Sequence, residues 1–174
     1  MDDQLYIGID SGTQGTKAVV LSGRTGQIIA ESYHGYELIE NDRGGREQLP
    51  ERWIEACRAV LGGVLDSPAV DGRMVRGIGV SGQQHGMVPL DRHGRVIRPA
   101  KLWCDTETVP QCRTITARAG GEEAVLKKIG NQVAAGFTAS KILWLKEHEP
   151  EHYSRLSTVL LPHDYINFWL TGEK

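Results

Sequence analysis

The segment Gly8-Ile9-Asp10-Ser11-Gly12-Thr13-Gln14-Gly15-Thr16-Lys17 sets a carboxylate at the end of an apolar run, followed by glycines and neutral donors. Those residue types suit phosphate. Gly12 and Gly15 allow tight turns with exposed N–H groups, and Ser11, Thr13, Gln14 and Thr16 add uncharged donors. Asp10 is placed to hold Mg²⁺ through water. No Gly-Lys-Ser/Thr follows the glycines, so this is not a Walker A loop. An ordinary β-hairpin with a polar turn needs the same residues.

Ser81-Gly82-Gln83-Gln84-His85-Gly86-Met87 groups two amides and an imidazole where a strand is expected to end. Such groups both donate and accept, which fits the hydroxyls and carbonyl of a sugar. Leu102-Trp103-Cys104-Asp105 offers an aromatic wall beside a carboxylate that could accept from a hydroxyl. Each segment also reads as a polar strand end or a core aromatic.

Two further patterns are decoys. Gly77-Ile78-Gly79-Val80-Ser81-Gly82 fits G-x-G-x-x-G but lies inside a strand-like run, whereas a dinucleotide fingerprint needs its glycines in a strand-to-helix turn. His148-Glu149-Pro150-Glu151-His152 fits H-E-x-x-H, but Pro150 breaks the helix that would put both imidazoles on one face. One helix is expected to end near Glu149 and another to begin at Pro150.

The elements that must position these residues follow from periodicity. Leu5–Asp10, Lys17–Ser22 and Gln27–Tyr33 read as three strands of an antiparallel meander. Asn41–Gln48 reads as a loop. Pro50 fits a first helical position, and Trp53, Ile54, Cys57, Val60, Leu61, Val64 and Leu65 recur at helical spacing. Met74–Ser81 reads as a strand, and Met87–Leu90 and Arg95–Ile97 as limbs of a hairpin around Asp91–Gly94. Asp105 is expected to cap a helix running to Arg118, with Pro110 restricting its start. A short helix is expected over Glu122–Ile129. Thr138 is expected to cap Ala139–Glu147. Val159–Leu161 reads as a strand, and Tyr165–Leu170 as a helix ending at Gly172. The order β-β-β-α-β, a helical insertion, then β-α is not a doubly wound dinucleotide domain. It suggests a ribonuclease-H-like α/β fold, with three antiparallel strands joined to parallel ones.

Composition narrows the function. The 174 residues carry 20 Lys+Arg against 22 Asp+Glu, a net charge of -2, which excludes a strongly basic nucleic-acid module or a polybasic membrane patch. Hydrophobic content of 40% with 24% charged residues is that of a globular domain. Cys57, Cys104 and Cys112 form no C-x-x-C pair and suit a reducing compartment. Met1–Gln4 is polar, and no run approaches the length of a membrane span, so a cytoplasmic location is expected. The chain stops at Lys174 close behind an expected helix end, so it reads as part of a longer protein.

Taken together, the ordered motifs resemble the FGGY carbohydrate kinases of the actin-like ATPase superfamily. Tyr6–Lys17 resembles their first phosphate loop. Gly82-Gln83-Gln84-His85-Gly86 is similar to the sugar-contact segment of members acting on xylulose. Pro99–Asp105, Gly130-Asn131, Gly136–Trp144, Leu161–Tyr165 and Leu170–Glu173 continue the match in order. The resemblance makes residues 1–174 an incomplete N-terminal, sugar-binding domain. It implies ATP-dependent phosphorylation of a ketopentose, D-xylulose foremost, with ATP and Mg²⁺ as cofactors. Asp10 would be the catalytic carboxylate near Mg²⁺ and the γ-phosphate. Gly12, Thr13, Gln14, Gly15, Thr16 and Lys17 would line the phosphate side, and Gln84, His85, Trp103 and Asp105 the sugar. The implied partners are a small-molecule sugar, the C-terminal ATP-binding lobe of the same protein, and a second copy if the enzyme is a homodimer. The catalytic base would lie beyond residue 174, so this chain alone is expected to be inactive.

The family often has Met where Gln84 stands, which bears on the preferred hydroxyl pattern. The Arg-Glu pair typical of glycerol kinases is absent at Gln84-His85, which argues against glycerol. Three alternatives stand beside this reading. One is a kinase for ribulose or gluconate, another a non-catalytic half-kinase that binds a sugar or a partner, and the third a nuclease. The nuclease lacks a second strand carboxylate beside Asp10.

Overall fold

Along Leu5–Ser11 the side chains alternate: Leu5, Ile7, Ile9 and Ser11 are buried while Tyr6 and Asp10 are exposed. A period of two is what a strand with one covered face requires. The computed structural model describes residues 3–174; Met1 and Asp2, which open the polar Met1–Gln4, lie outside the described residues. The chain runs β1 (Leu5–Ser11), β2 (Gly15–Ser22), β3 (Ile28–Gly35), β4 (Ile39–Glu40), β5 (Arg46–Gln48), α1 (Pro50–Leu65), β6 (Val75–Gly82), β7 (Val88–Leu90) and β8 (Ala100–Lys101). It continues through α2 (Val109–Arg118), α3 (Glu122–Ile129), α4 (Thr138–His148), α5 (Pro150–Arg155), β9 (Thr158–Leu160) and α6 (Pro162–Thr171). Two compact units result. The first holds the residues up to Glu37, Pro50–Gln83 and Pro162–Lys174; the second holds Leu38–Leu49 and Gln84–Leu161.

The first unit is a four-stranded sheet in the order β3-β2-β1-β6. β1 pairs antiparallel with β2, and β2 with β3, while β6 runs parallel to β1. This is the expected meander followed by a helical crossover. α1 starts at Pro50, where a missing N–H costs nothing, and buries Trp53, Ala56, Cys57, Val60 and Val64. It covers the sheet face that carries Ile7, Ile9, Ala18 and Val20, also buried. The Ile and Val side chains among these contribute about 1.5–3 kcal/mol each on burial. α6 buries Ile166, packs against β6 and α1, and ends with Gly172 at φ 77. Gly77–Gly82 lies wholly within β6, so the G-x-G-x-x-G pattern is strand and not a helix-opening turn.

The second unit combines two small sheets, β4-β5-β8 and β7-β9, with α2 to α5. Several expectations change here. Asn41–Gln48 is not all loop: Arg46–Gln48 is a strand, pairing with Ile39–Glu40 and with Ala100–Lys101. The Asp91–Gly94 turn forms, with Asp91 Oδ1 accepting from the His93 and Arg95 amides at 2.8 and 3.0 Å. Its return limb gives only an isolated bridge at Val96, and β7 pairs with β9. Asp105 does not cap α2. That helix begins at Val109 behind Thr108, with a proline in its first turn. Thr138 is not a cap either. Phe137 holds that position, and Thr138 is the first residue of α4. The break expected at Pro150 is present between α4 and α5.

Candidate functional site

In the first unit the β1–β2 hairpin carries the residues expected to face phosphate. Its turn is fixed by two tyrosines. The Tyr36 hydroxyl donates to the Gly12 carbonyl at 2.6 Å, and the Tyr33 hydroxyl to the Gln14 carbonyl at 3.0 Å. Gly15 must be glycine, because a Cβ there would lie 2.6 Å from the His34 carbonyl oxygen. The N–H of Gly12 is not exposed for a ligand as expected; it closes the turn by donating to the Gly15 carbonyl at 3.0 Å. Ser11 and Thr16 are fully buried. The Thr16 hydroxyl donates to the Ser11 and Tyr36 oxygens at 3.2 and 3.4 Å. Thr16 therefore braces the hairpin from inside, which corrects its placement on a ligand surface. Thr13 is half-buried, Gln14 is exposed, and Lys17 pairs with Glu31 at 2.8 Å.

Asp10 is different. It is exposed, and among the described residues no side chain hydrogen-bonds or ion-pairs with it. Its register partners are Lys17 on β2 and Ser81 on β6. These three line a shallow groove of about 440 Å³ on the sheet, together with Gly8 and Gly79. Gly79 of the decoy pattern and Gly8 on β1 thus keep the strands bare where the groove runs. An uncommitted carboxylate at a strand end beside a groove fits a hydrated divalent cation, which takes one or two carboxylates and keeps its waters.

In the second unit the outstanding backbone feature is His85, at φ 60 the one non-glycine residue with positive φ among the described residues. Such a conformation costs on the order of 1–3 kcal/mol and persists only where the surroundings fix it. Here two donors fix it: Thr138 Oγ1 and Lys141 Nζ each reach the His85 carbonyl at 3.1 Å. This is why Thr138 does not cap α4; its hydroxyl is engaged at His85. The imidazole itself is exposed and lies against the Phe137 ring, with centroids 4.4 Å apart. Gln84 is exposed beside it.

Trp103 lies on a different segment, between β8 and α2. Gly136 packs so tightly on that segment that a Cβ would sit 2.6 Å from the Trp103 carbonyl oxygen. Trp103 is 51% exposed, unusual for an indole that could have been core. Residues 136–138 therefore bring His85 and Trp103 to one neighbourhood. Asp105 does not join them at the surface, a correction to its expected sugar contact. It is fully buried; its Oδ2 accepts from Lys101 Nζ at 2.8 Å and from the Arg46 amide at 3.0 Å, and its Oδ1 from the Glu107 amide at 3.1 Å. Three of the roughly four acceptor sites of the carboxylate are occupied by groups of the protein, and these bonds brace the segment.

Asp105 belongs to a buried charge cluster. Lys101 Nζ lies 2.8 Å from Asp105, 2.8 Å from Glu107 and 3.2 Å from Glu47, and 4.0 Å above the Trp144 ring. Arg98 joins Glu47 at 2.7 Å and Glu149 at 2.8 Å. The three carboxylates have the spacing of a metal site, but the Lys101 ammonium already supplies the cation. Burial acts to lower the Lys101 pKa, yet its bonds to Asp105 and Glu107 outweigh this and the net shift is upward.

Lys141 escaped the sequence reading. It is fully buried, and its ammonium donates to the carbonyls of His85, Ala135, Gly136 and Phe137. Burial pushes its pKa down to about 8. The available signal was its place in a stripe with Trp144 and Leu145 at helical spacing, where a solvated lysine would not fall. The histidines of H-E-x-x-H serve separate neighbours: His148 Nδ1 meets the Trp144 carbonyl at 3.1 Å, and His152 Nδ1 meets Glu149 at 2.7 Å.

Comparison with known proteins gives the family. Residues 5–174 match the N-terminal domain of the FGGY family of carbohydrate kinases. The xylulose kinase of Haemophilus influenzae is 45% identical over 173 residues, 97% of this chain and 35% of that protein. That of Bacillus subtilis is 40% identical over 166 residues, 95% of this chain and 33% of that protein. The crystal structure of xylulose kinase from Rhodospirillum rubrum superposes with a TM-score of 0.89 at 29% identity, over 98% of this chain and 35% of that one. The chain thus spans about a third of the length of the curated relatives it matches.

Proposed function

Because the chain belongs to the FGGY family of carbohydrate kinases, we propose that the intact protein transfers the γ-phosphate of ATP to a hydroxyl of a ketopentose, D-xylulose foremost. The observation that carries this reading is the presentation of His85. Its imidazole is exposed on a strained backbone held by the half-buried Thr138 and the buried Lys141, in the neighbourhood of the exposed Trp103. His85 and Gln84 bind sugar hydroxyls through ring nitrogens and amide, and Trp103 offers an apolar face to the sugar C–H groups. Asp105 and Lys101 hold the Trp103 segment in place from beneath.

The Asp10 hairpin serves the phosphoryl group. Its free carboxylate holds a hydrated Mg²⁺, which neutralises phosphate charge when bound. Thr13, Gln14 and Lys17 supply donors around it. The sugar oxygen forms a bond to the γ-phosphorus as the bond to the ADP oxygen breaks, and the hydroxyl proton leaves to a base outside residues 1–174. Because the chain spans about a third of its relatives, turnover belongs to the intact protein and this domain alone binds sugar without phosphorylating it. The C-terminal lobe is then the partner that supplies the ATP site.

A second reading, a gluconate kinase, is favoured by one observation. The crystal structure of gluconate kinase from Lactobacillus acidophilus superposes with a TM-score of 0.85 at 26% identity. ADP release by the intact protein, measured with D-xylulose, D-ribulose, D-gluconate and glycerol, separates these. The highest kcat/KM is expected with D-xylulose. A preference for gluconate transfers the assignment to the second reading, and release with none of the four defeats both.

A further inference from the structure

His85 would relax out of its left-handed backbone conformation if its carbonyl were free to turn. Two side chains prevent this, and both come from α4. Thr138 is neutral and sits at the helix start. Lys141 reaches further, placing one ammonium between the His85 carbonyl at 3.1 Å and the carbonyls of Ala135 at 3.3 Å and Phe137 at 3.1 Å. Gly136 supplies a fourth acceptor at 2.5 Å. A lysine ammonium has three protons, so four carbonyls around it share them and no donor is left unused. The loop that carries Phe137 and the turn that carries His85 are thereby tied to the same point. Phe137 in turn supports the imidazole ring at 4.4 Å.

Burying an ammonium among neutral carbonyls is expensive, and an apolar residue would fill a helix stripe beside Trp144 and Leu145 more cheaply. The charge at this position therefore calls for a reason other than packing. We propose that Lys141 is the positioning residue for His85: its ammonium holds the His85 carbonyl and the Ala135–Phe137 loop together and so sets the imidazole in its sugar-binding orientation. The proposal rests on the reading of His85 as a sugar contact.

A pH signature accompanies this role, because the ammonium loses its proton near pH 8. The ionisable groups facing it are Asp105, which draws its pKa up, and Lys101, which pushes it down. Cys112 and Cys104 also draw it up, and the Cys104 thiol is itself raised above its ordinary value of 9.0. Loss of the Lys141 proton removes one donor and the charge that holds four carbonyls.

The test uses NMR of this chain, following the contact between the His85 and Phe137 rings without sugar, then titrating D-xylulose. Lys141→Met is expected to lose the ring contact and weaken D-xylulose binding by about tenfold or more, the loss of one charge-assisted hydrogen bond. Lys141→Arg keeps the charge and is expected to restore the contact. In the wild-type chain the contact weakens as pH passes about 8, and in Lys141→Arg that step disappears because guanidinium does not titrate there. If Lys141→Met does not fold, the wild-type pH step and its absence in Lys141→Arg decide the matter alone. A ring contact indifferent both to residue 141 and to pH overturns the proposal. A contact that depends on Lys141 in a chain with no response to D-xylulose upholds the positioning role and defeats the sugar reading instead.

Discussion

Lys101 and Lys141 are both fully buried in the same unit, and their ammonium groups shift in opposite directions. Lys101 faces three carboxylates at 2.8, 2.8 and 3.2 Å, and its pKa rises. Lys141 faces neutral carbonyls; burial dominates and its pKa falls to about 8. One lysine is an anchor at any physiological pH, and the other stands close to release. Both bear on the candidate sugar surface, the first through Asp105 beneath Trp103 and the second through His85.

Replacing Lys101 with Met takes the ammonium from the buried Asp105 and from the half-buried Glu47 and Glu107, which keep Arg98 and Arg43 as partners. Removing one member of a buried charge group costs about 3–5 kcal/mol. The cost is expected to depend on pH. Glu107 has a lowered pKa, so its contribution is full above the ordinary carboxylate value and is lost as pH falls through the folded value. Urea denaturation is expected to show a large deficit for Lys101→Met at neutral pH that narrows in acid. A deficit as large in acid as at neutrality would show that the carboxylates are not its source.

The sign is different for Lys141. Its folded pKa lies below the ordinary 10.5, so between about 8 and 10.5 the unfolded chain holds a proton that the folded chain has lost. Stability contributed by this group therefore rises with pH in that window. Denaturation curves for the wild type and Lys141→Met, compared across the window, are expected to diverge in favour of the wild type as pH rises. Parallel curves would contradict the depressed pKa.

Gly136→Ala drives a methyl group to 2.6 Å from the Trp103 carbonyl oxygen. The loop must move away, at a cost of about 1–3 kcal/mol for overpacking. Weaker D-xylulose binding should accompany the lost stability, because the same loop carries Phe137 beneath His85. Unchanged binding in a destabilised variant would separate the loop from the sugar surface.

Asp10→Asn is expected to leave stability within about 0.5 kcal/mol of wild type, since an exposed side chain without a partner contributes little. In the intact protein it is expected to abolish kcat with little change in sugar KM. A raised KM at normal kcat would move Asp10 to the sugar side.

The first unit was legible because its strands alternate and its helix repeats: Leu5–Ser11 and Pro50–Leu65 are both visible in the order of apolar residues. The second unit was less so, because its organising contacts are between charges far apart in the chain. Arg46–Gln48 reads as polar loop because Glu47 points its charge at Arg98 and Lys101. Asp105 and Thr138 look like helix caps by local rules, yet Lys101 and His85 claim their side chains. Thr16 looks like a phosphate donor but is buried against Ser11 and Tyr36. A sequence pattern shows which groups are polar; it does not show which polar groups satisfy one another.

The central claim is that the surface around His85 and Trp103 binds a ketopentose. An NMR titration of this chain with D-xylulose tests it most directly. The expected shifts concentrate at the His85 imidazole and the Trp103 indole, and Trp103→Ala removes binding while leaving the fold intact, as suits an exposed side chain. Shifts confined to the groove of Arg43, Trp144 and His148, or no shifts at all, would contradict the account.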